Sequence, residues 1–404
     1  MFRFGLLLTL LAGLATASPA SATMTRAPVI IISIDGFRAD YFDRGLSPTL
    51  AALAEGGVHA KAMRPSFPSV TEPNHYTLMT GLRPDHHGIV DNMMRDSNMP
   101  GAWFGDPGSN VDNDPRWWNE ATPLWVTAQH QGLRTASSFW PADDVIVHNT
   151  QPTYLQPHDR KTTMDQQVDA VLAWLDLPAG QRPALIRMHV SAVDTSGHLF
   201  GPDSTQVNGE IRKVDAVIGR LVAGLMSRGL YDKTNLIVVS DHGMAAISKV
   251  ILLDDLIDIS HVTVATYGAG GGVNPLPGHE AEIEHALLAP HEHMTCWKRA
   301  DIPANLHYGT NPRAPSIYCL GQLGWSVVTA KGAPLYRAIR GNHGYDPAEP
   351  TMWALFIAHG PSFRSGVSLP VFDNVDVYPL LARLLDVRPL PNDGHLSEVA
   401  GALR

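Results

Sequence analysis

Cysteine is nearly missing from this chain, with Cys296 and Cys319 the only two in 404 residues. That scarcity excludes a disulfide-dense scaffold and any zinc site built on clustered thiolates. Charge is also sparse, at 17% of residues, and unbalanced: 30 basic against 39 acidic side chains give a formal net charge of −9. An acidic surface argues against duplex nucleic acid or anionic lipid as a partner, so an anionic substrate would need local cations to hold it. Long polar or repetitive tracts are lacking as well, which excludes disordered and solenoid architectures. Past the N-terminus, no stretch has the continuous apolar length of a membrane span.

The N-terminus carries one short apolar run, residues 5–14, behind Arg3 and ahead of Ala20-Ser21-Ala22. A positive start, an apolar stretch too short to span and small residues at a cleavage point predict a signal peptide over residues 1–22, hence a periplasmic or secreted product. In such an oxidising compartment Cys296 and Cys319 read as one structural disulfide, worth ~3 kcal/mol in the chain-entropy model; two buried thiols are the alternative.

Three apolar runs have a common grammar. Residues 29–34 end in Asp35-Gly36, residues 185–193 lead into Asp194-Thr-Ser-Gly-His198, and residues 236–240 lead into Asp241-His242-Gly243. Continuous β-branched runs suit strands covered on both faces, and ligand sites gather at the carboxyl ends of parallel strands. Between the runs lie helix candidates at 47–55, 123–131, 164–175, 206–228 and 375–385, two of them with Pro in the first turn. Alternation of this kind predicts an α/β fold with a mainly parallel central sheet flanked by helices. Residues 252–340 switch to short strands between Gly/Pro-rich turns, predicting an inserted α+β subdomain between the two parts of a catalytic α/β domain, 23–251 and 341–404. Residues 100–119, with Trp103, Trp117 and Trp118, read as a long surface excursion that is either a structural cover or a pocket wall.

Chemistry concentrates at the strand ends. Asp35, Asp194, His198, Asp241, His242 and His343 supply imidazole and carboxylate, the donor set suited to Zn²⁺, in a number sufficient for two sites of three protein ligands. Each alone is an ordinary turn former or cap; their shared position shifts the reading to metal. Thr71, two residues before Pro73, sits where a helix should begin, beside N–H groups that favour anions. Without the metal ligands it is only an N-cap.

Six segments together, Ile31-Ile-Ser-Ile-Asp-Gly-Phe-Arg38, Thr71 with Pro73-Asn-His-Tyr76, Thr80 through Ile89, Asp194 through His198, Ser240-Asp-His-Gly-Met244 and Gly341-Asn-His-Gly-Tyr345, resemble the nucleotide pyrophosphatase/phosphodiesterase family of the alkaline phosphatase superfamily. Residues 306–312 and 374–380 are similar too, so the likeness runs through nearly the whole chain. It implies an alkaline-phosphatase-like fold and a phosphodiesterase with two Zn²⁺. One ion would be held by Asp194, His198 and His343, the other by Asp35, Asp241, His242 and the oxygen of Thr71, the nucleophile. Asn92 and the backbone N–H of Glu72 would donate to a phosphate oxygen. The implied partner is a small phosphodiester or nucleotide.

Two positions depart from the family or leave room for another substrate. Nucleotide-cleaving members carry an aromatic after the nucleophile, where this chain has Glu72, so half of the base-stacking slot is lost; Tyr154 resembles the other half. Glu72 instead suits a cationic group such as choline. A phosphomonoesterase and a zinc-binding protein without turnover are the further alternatives. Neither Arg38 nor Arg83 lies in the Thr71 motif, where a monoesterase clamp would be.

Overall fold

The computed structural model describes residues 26–105, 111–159 and 161–404. The signal peptide expected over 1–22 lies outside them. Eight strands form the central sheet: β1 (Val29–Ile34), β2 (Val58–Ala60), β3 (Thr135–Ser138), β4 (Tyr154–Gln156), β5 (Leu185–Val190), β6 (Asn235–Val239), β11 (Phe356–His359) and β12 (Val367–Leu369). Their spatial order is β12-β2-β11-β6-β1-β5-β3-β4, with β11 antiparallel to both neighbours and every other pairing parallel. Strands β7 (Val262–Thr266), β8 (Gly270–Pro275), β9 (Met294–Lys298) and β10 (Ile317–Gly321) make a separate antiparallel sheet within residues 262–321.

All six residues of β1 are buried, because helices cover both faces of the sheet. Ile30, Ile32 and Ile34 point into one core, with α1 (Pro48–Gly56), α3 (Met164–Asp176) and α5 (Thr205–Ser227). Val29 and Ile31 point into the other, with α2 (Thr71–Thr80) and α7 (Val377–Leu384). The period-two alternation of strand side chains thus feeds two cores from one run. At ~1.5–3 kcal/mol per fully buried aliphatic side chain, β1 is anchored from both sides. The five helix candidates form within one to two residues of the expected bounds, and α3 starts with a Thr163/Gln166 capping box.

Register sets the site. Ser33 of β1 is level with His189 of β5 and Val239 of β6, so Asp35 and Asp241 leave adjacent strands at the same height. Asp194 follows in the first turn of α4 (Ala192–Phe200), directly after β5. Gly36 (φ 66°) is required at this level, since a Cβ there would lie 2.9 Å from the Cβ of Asp194 and push that carboxylate away.

Cys296 and Cys319 face each other across β9 and β10 and are bonded. The excursion at 100–119 keeps Pro100, Gly101, Asn113 and Arg116 exposed but buries Trp117 and Trp118 in the main core, and its Asp112 and Trp118 border the cavity beside Thr71. The hydroxyl of Tyr76 donates to the carbonyls of Trp118 and Ala121, and Trp118 Nε1 donates to the Asp112 carbonyl, tying the excursion to α2.

Motifs that carry no ligand have a docking role. The Asp85 carboxylate accepts from Gly309 N, Thr310 N and Thr310 Oγ1 at 3.0, 2.6 and 2.8 Å. Arg313 is buried, pairs with Asp96 at 2.7 Å and donates to the carbonyls of Gly88, Arg116 and Trp117. These contacts clamp the segment before β10 onto the turn that follows α2.

Candidate active site

Thr71 is the first residue of α2, and Val70, not Thr71, is the cap position. Its side chain is therefore free of capping duty, and Oγ1 lies 3.2 Å from His242 Nε2. The motif after it builds this placement. Asn74 frames the preceding turn, accepting from Ser66 N and donating to the carbonyls of Pro68 and Val70. Asn374, from a distant motif, donates to Asn74 and accepts from Ser66 Oγ. His75, one turn along from Thr71, places Nδ1 2.9 Å from the Thr71 carbonyl and Nε2 2.9 Å from Ser33 Oγ.

Two donor groups converge beside Thr71. Asp35, Asp241 and His242 form one, Asp194, His198 and His343 the other; within each, one ligand atom per residue lies within 4.8 Å of the rest. His242 and His343, one from each group, stack with ring centroids 3.6 Å apart, which sets the groups side by side. His242 Nε2 stands 3.4 Å from Asp35 Oδ1 and 3.0 Å from Asp241 Oδ2. Asp194 Oδ1 stands 3.4 Å from His198 Nε2 and 3.5 Å from His343 Nε2, and those two nitrogens are 3.1 Å apart.

The second nitrogens explain the orientation. Nδ1 of His198, His242 and His343 faces the carbonyl of Gly341, Gly243 and Ser69, at 2.9, 2.8 and 3.1 Å. A carbonyl only accepts, so each Nδ1 carries the proton and each Nε2 turns a lone pair toward the carboxylates. Asp35 Oδ1, Asp194 Oδ1 and Asp241 Oδ2 are buried and accept no hydrogen bond. Lone pairs and buried carboxylate oxygens aimed at one another are costly unless cations lie among them, so these residues fit two metal ions. Burial, and then the neighbouring Asp241 and Asp194, push the Asp35 carboxyl well above its usual range. Burial, with His242 and His198 beside it, holds His343 far below the usual imidazole value, hence neutral and ready to ligate.

Supporting side chains escape the sequence reading. His189 Nε2 lies 3.0 Å from Asp35 Oδ2 and holds that carboxylate by the oxygen turned away from His242, while His75, its Nδ1 bonded to the Thr71 carbonyl, lies 3.4 Å from Asp241 Oδ2. A histidine beside Arg187 in a mainly apolar strand was the available signal for His189.

Asn92 stands beside the start of α2, where Glu72 N–H, expected as a second phosphate donor, donates instead to Asn92 Oδ1 at 2.8 Å. That bond fixes the side-chain amide. Glu72 Oε2 is buried without a partner, and burial, followed by Asp112 and Asp241, raises its carboxyl pKa to about 8. Burial thus disfavours the charged form of Glu72, which weighs against its expected service as an anionic partner for a cation.

Thr71 and Glu72 open onto a cavity of about 1200 Å³. Its wall includes Trp118, Phe139, Trp140 and His158, with the carboxylates of Asp112, Asp144 and Asp159. Tyr154 is not part of it: on strand β4 its hydroxyl donates to the Gln181 carbonyl at 2.8 Å. The aromatic face comes instead from Phe139 (φ 63°) and His158, whose rings lie 4.9 Å apart. A smaller pocket on the other side of Asn92 is bounded by His198, Asn342, His343, Tyr267, Tyr318 and Tyr336. No arginine or lysine among the described residues lines either space. Arg38 is engaged by Asp40 and Asp203, and Arg83 by Asp373.

The sheet, the helix that Thr71 opens and the paired donor groups define an alkaline-phosphatase-like hydrolase. Within that class the chain belongs to the type I phosphodiesterase / nucleotide pyrophosphatase family, whose sequence model matches residues 29–346. An uncharacterized pyrophosphatase/phosphodiesterase of Schizosaccharomyces pombe is 39% identical, over 91% of this chain and 78% of its own length. Ectonucleotide pyrophosphatase/phosphodiesterase family member 3 of Bos taurus is 35% identical over 91% of this chain, which spans only 43% of that protein. Human family member 5 is 33% identical over 99% of this chain and 83% of its own length. The structure of murine family member 5, as an inactive threonine-to-alanine variant in complex with AMP, superposes with a TM-score of 0.89 at 33% identity, covering 94% of this chain and all of that one. No helix among the described residues is long and apolar enough to cross a membrane.

Proposed function

We propose that this chain is an exported phosphodiesterase and nucleotide pyrophosphatase that loads two zinc ions and works through a phosphothreonine at Thr71. The observation that carries this reading is Thr71 Oγ1 standing 3.2 Å from His242 Nε2, with His242 stacked on His343 of the second donor group. One ion belongs to Asp35, Asp241, His242 and Thr71, the other to Asp194, His198 and His343. When bound, the ions supply positive charge that favours the Thr71 alkoxide and offsets charge on the attacking and leaving oxygens.

The chain's own residues do the positioning. Asn74 and His75 hold the turn and the first carbonyl of α2 so that Oγ1 faces the donor groups. Thr71 Oγ1 forms a bond to phosphorus as the bond to the leaving oxygen breaks, the Thr71 proton going to the departing alcohol or phosphate. The phosphothreonine still carries the retained substituent, and water then cleaves the Thr71 O–P bond, releasing that substituent as a phosphomonoester and restoring the hydroxyl. Asn92, with Oδ1 held by Glu72 N–H, presents Nδ2 to a non-bridging phosphate oxygen. Removing one such preorganised donor costs roughly 3–4 kcal/mol in rate elsewhere.

The substituent that is not expelled occupies the cavity beside Thr71, where Phe139 and His158 offer ring faces to a base. AMP in the murine relative supports a nucleotide in this role. Asp112, Asp144 and Asp159 on the same wall favour a second reading, a choline-type diester. The Thr71 motif has no arginine placed as a monoesterase clamp, which disfavours a phosphomonoesterase. Comparing turnover of a thymidine nitrophenyl phosphodiester, nitrophenyl phosphocholine and nitrophenyl phosphate on zinc-loaded protein decides: the thymidine ester should lead, and a large lead for either other ester overturns the assignment.

A further inference from the structure

A third cluster of metal-ligating side chains lies away from Thr71, on the segment that carries the antiparallel sheet. His261 ends the turn before β7, and His279 immediately precedes α6 (Glu280–Leu287), which contains Glu282. One ligand atom from each of His261, His279 and Glu282 falls within 4.8 Å of the others. From this convergence we infer that His261, His279 and Glu282 form a separate surface site for a divalent transition ion, Zn²⁺ in the first instance.

The backbone presets the geometry. Val262 pairs with Pro275 across β7 and β8, Leu276 N donates to the His261 carbonyl at 2.8 Å, and His279 N donates to the Leu276 carbonyl at 3.0 Å. Neither histidine therefore depends on a mobile loop for its position. The imidazoles stack with centroids 3.6 Å apart and planes 24° apart, and both Nδ1 atoms lie 3.2 Å from Glu282 Oε2. Asp258 Oδ2 lies 3.7 Å from the outer nitrogen of His261, the place of a carboxylate that orients a ligating imidazole.

Two imidazoles and one carboxylate select a borderline ion over Ca²⁺ or Mg²⁺, which prefer oxygen-only shells. All three side chains reach solvent, leaving an outward coordination position for water. The ion would tie the β7–β8 hairpin to α6, and none of these residues belongs to the donor groups around Thr71. Its consequence is stabilisation of this segment, without a part in turnover.

The test is zinc content of the full chain, stripped with chelator, re-equilibrated at micromolar free Zn²⁺ and measured by native mass spectrometry. Wild type should hold one more zinc per chain than His279→Gln and Glu282→Gln, while His285→Gln, on the same helix, matches wild type. Turnover of bis-nitrophenyl phosphate should stay within twofold in all of them. Equal zinc content in wild type and both site variants overturns the proposal, whatever the diesterase activity proves to be. A variant with a changed far-ultraviolet circular dichroism spectrum is replaced by the other for the comparison.

Discussion

His242 Nε2 lies 3.2 Å from Thr71 Oγ1, and the same ring hands its Nδ1 proton to the Gly243 carbonyl at 2.8 Å. One imidazole thus joins the Thr71 hydroxyl to a donor group while its tautomer is fixed from behind. Ligands on adjacent strand ends then act as a unit, and replacing one should remove more than one contact.

His343→Ala and Asp241→Asn should each lower zinc content by about one ion per chain and reduce kcat for a diester by at least ~10³, the scale expected when charge stabilisation at the reacting oxygens is lost. Elemental analysis paired with steady-state kinetics checks this. His189→Ala, which removes only the outer partner of Asp35, should weaken zinc retention by roughly 10–100-fold and leave a measurable rate at saturating zinc.

Glu72 should tune substrate and spare the chemistry. Glu72→Gln preserves the neutral form that the carboxyl, with its pKa near 8, already holds at pH 7, so kcat at pH 7 should change less than about threefold. Glu72→Phe should lower KM for a nucleotide diester by roughly tenfold, the worth of about 1.4 kcal/mol of added stacking. Parallel KM measurements on thymidine and choline esters provide the check.

Asp91 predicts a pH dependence of stability. Burial raises its carboxyl to about 7, against hydrogen bonds including one from Met93 N. A native pKa above the unfolded value contributes stability at low pH that is lost as pH rises toward the native pKa. Asp91→Asn should therefore gain on wild type between pH 5 and pH 7, by at most roughly 1.4 kcal/mol per pH unit, and level off above. Chemical denaturation of both proteins across that range, at fixed zinc, measures the difference.

The Asp85 clamp has a stability signature. Asp85→Ala strands the N–H groups of Gly309 and Thr310, each costing ~1–3 kcal/mol when left unpaired, so the midpoint of unfolding should fall markedly. Asp85→Asn, which can still accept, should recover part of that loss.

The strand ends were legible because continuous apolar runs leave parallel strands few alternatives, and a polar residue closing such a run has only the sheet edge to occupy. Helices with Pro or Thr at their starts were legible for the same local reason. Tyr154 was misread because its strand continues the sheet edge and spends its hydroxyl on Gln181, while the pocket ring at Phe139 depends on a left-handed backbone no propensity forecasts. Residues 100–119 left structural cover and pocket wall open, because only tertiary packing on α2 shows Trp117 buried and Trp118 buried at the edge of the cavity. His75 and His189 act through residues far away in sequence, so their roles appear only once the sheet is assembled.

The central claim is a covalent phosphate on Thr71. Zinc-loaded protein mixed with excess bis-nitrophenyl phosphate, acid-quenched within milliseconds and digested for mass spectrometry should carry a nitrophenyl-phosphoryl increment, one nitrophenol having left, on the peptide containing Thr71, absent from Thr71→Ala. Full turnover by Thr71→Ala, or a wild-type enzyme that turns over with no such adduct while inverting configuration at a chiral phosphorus, would contradict it.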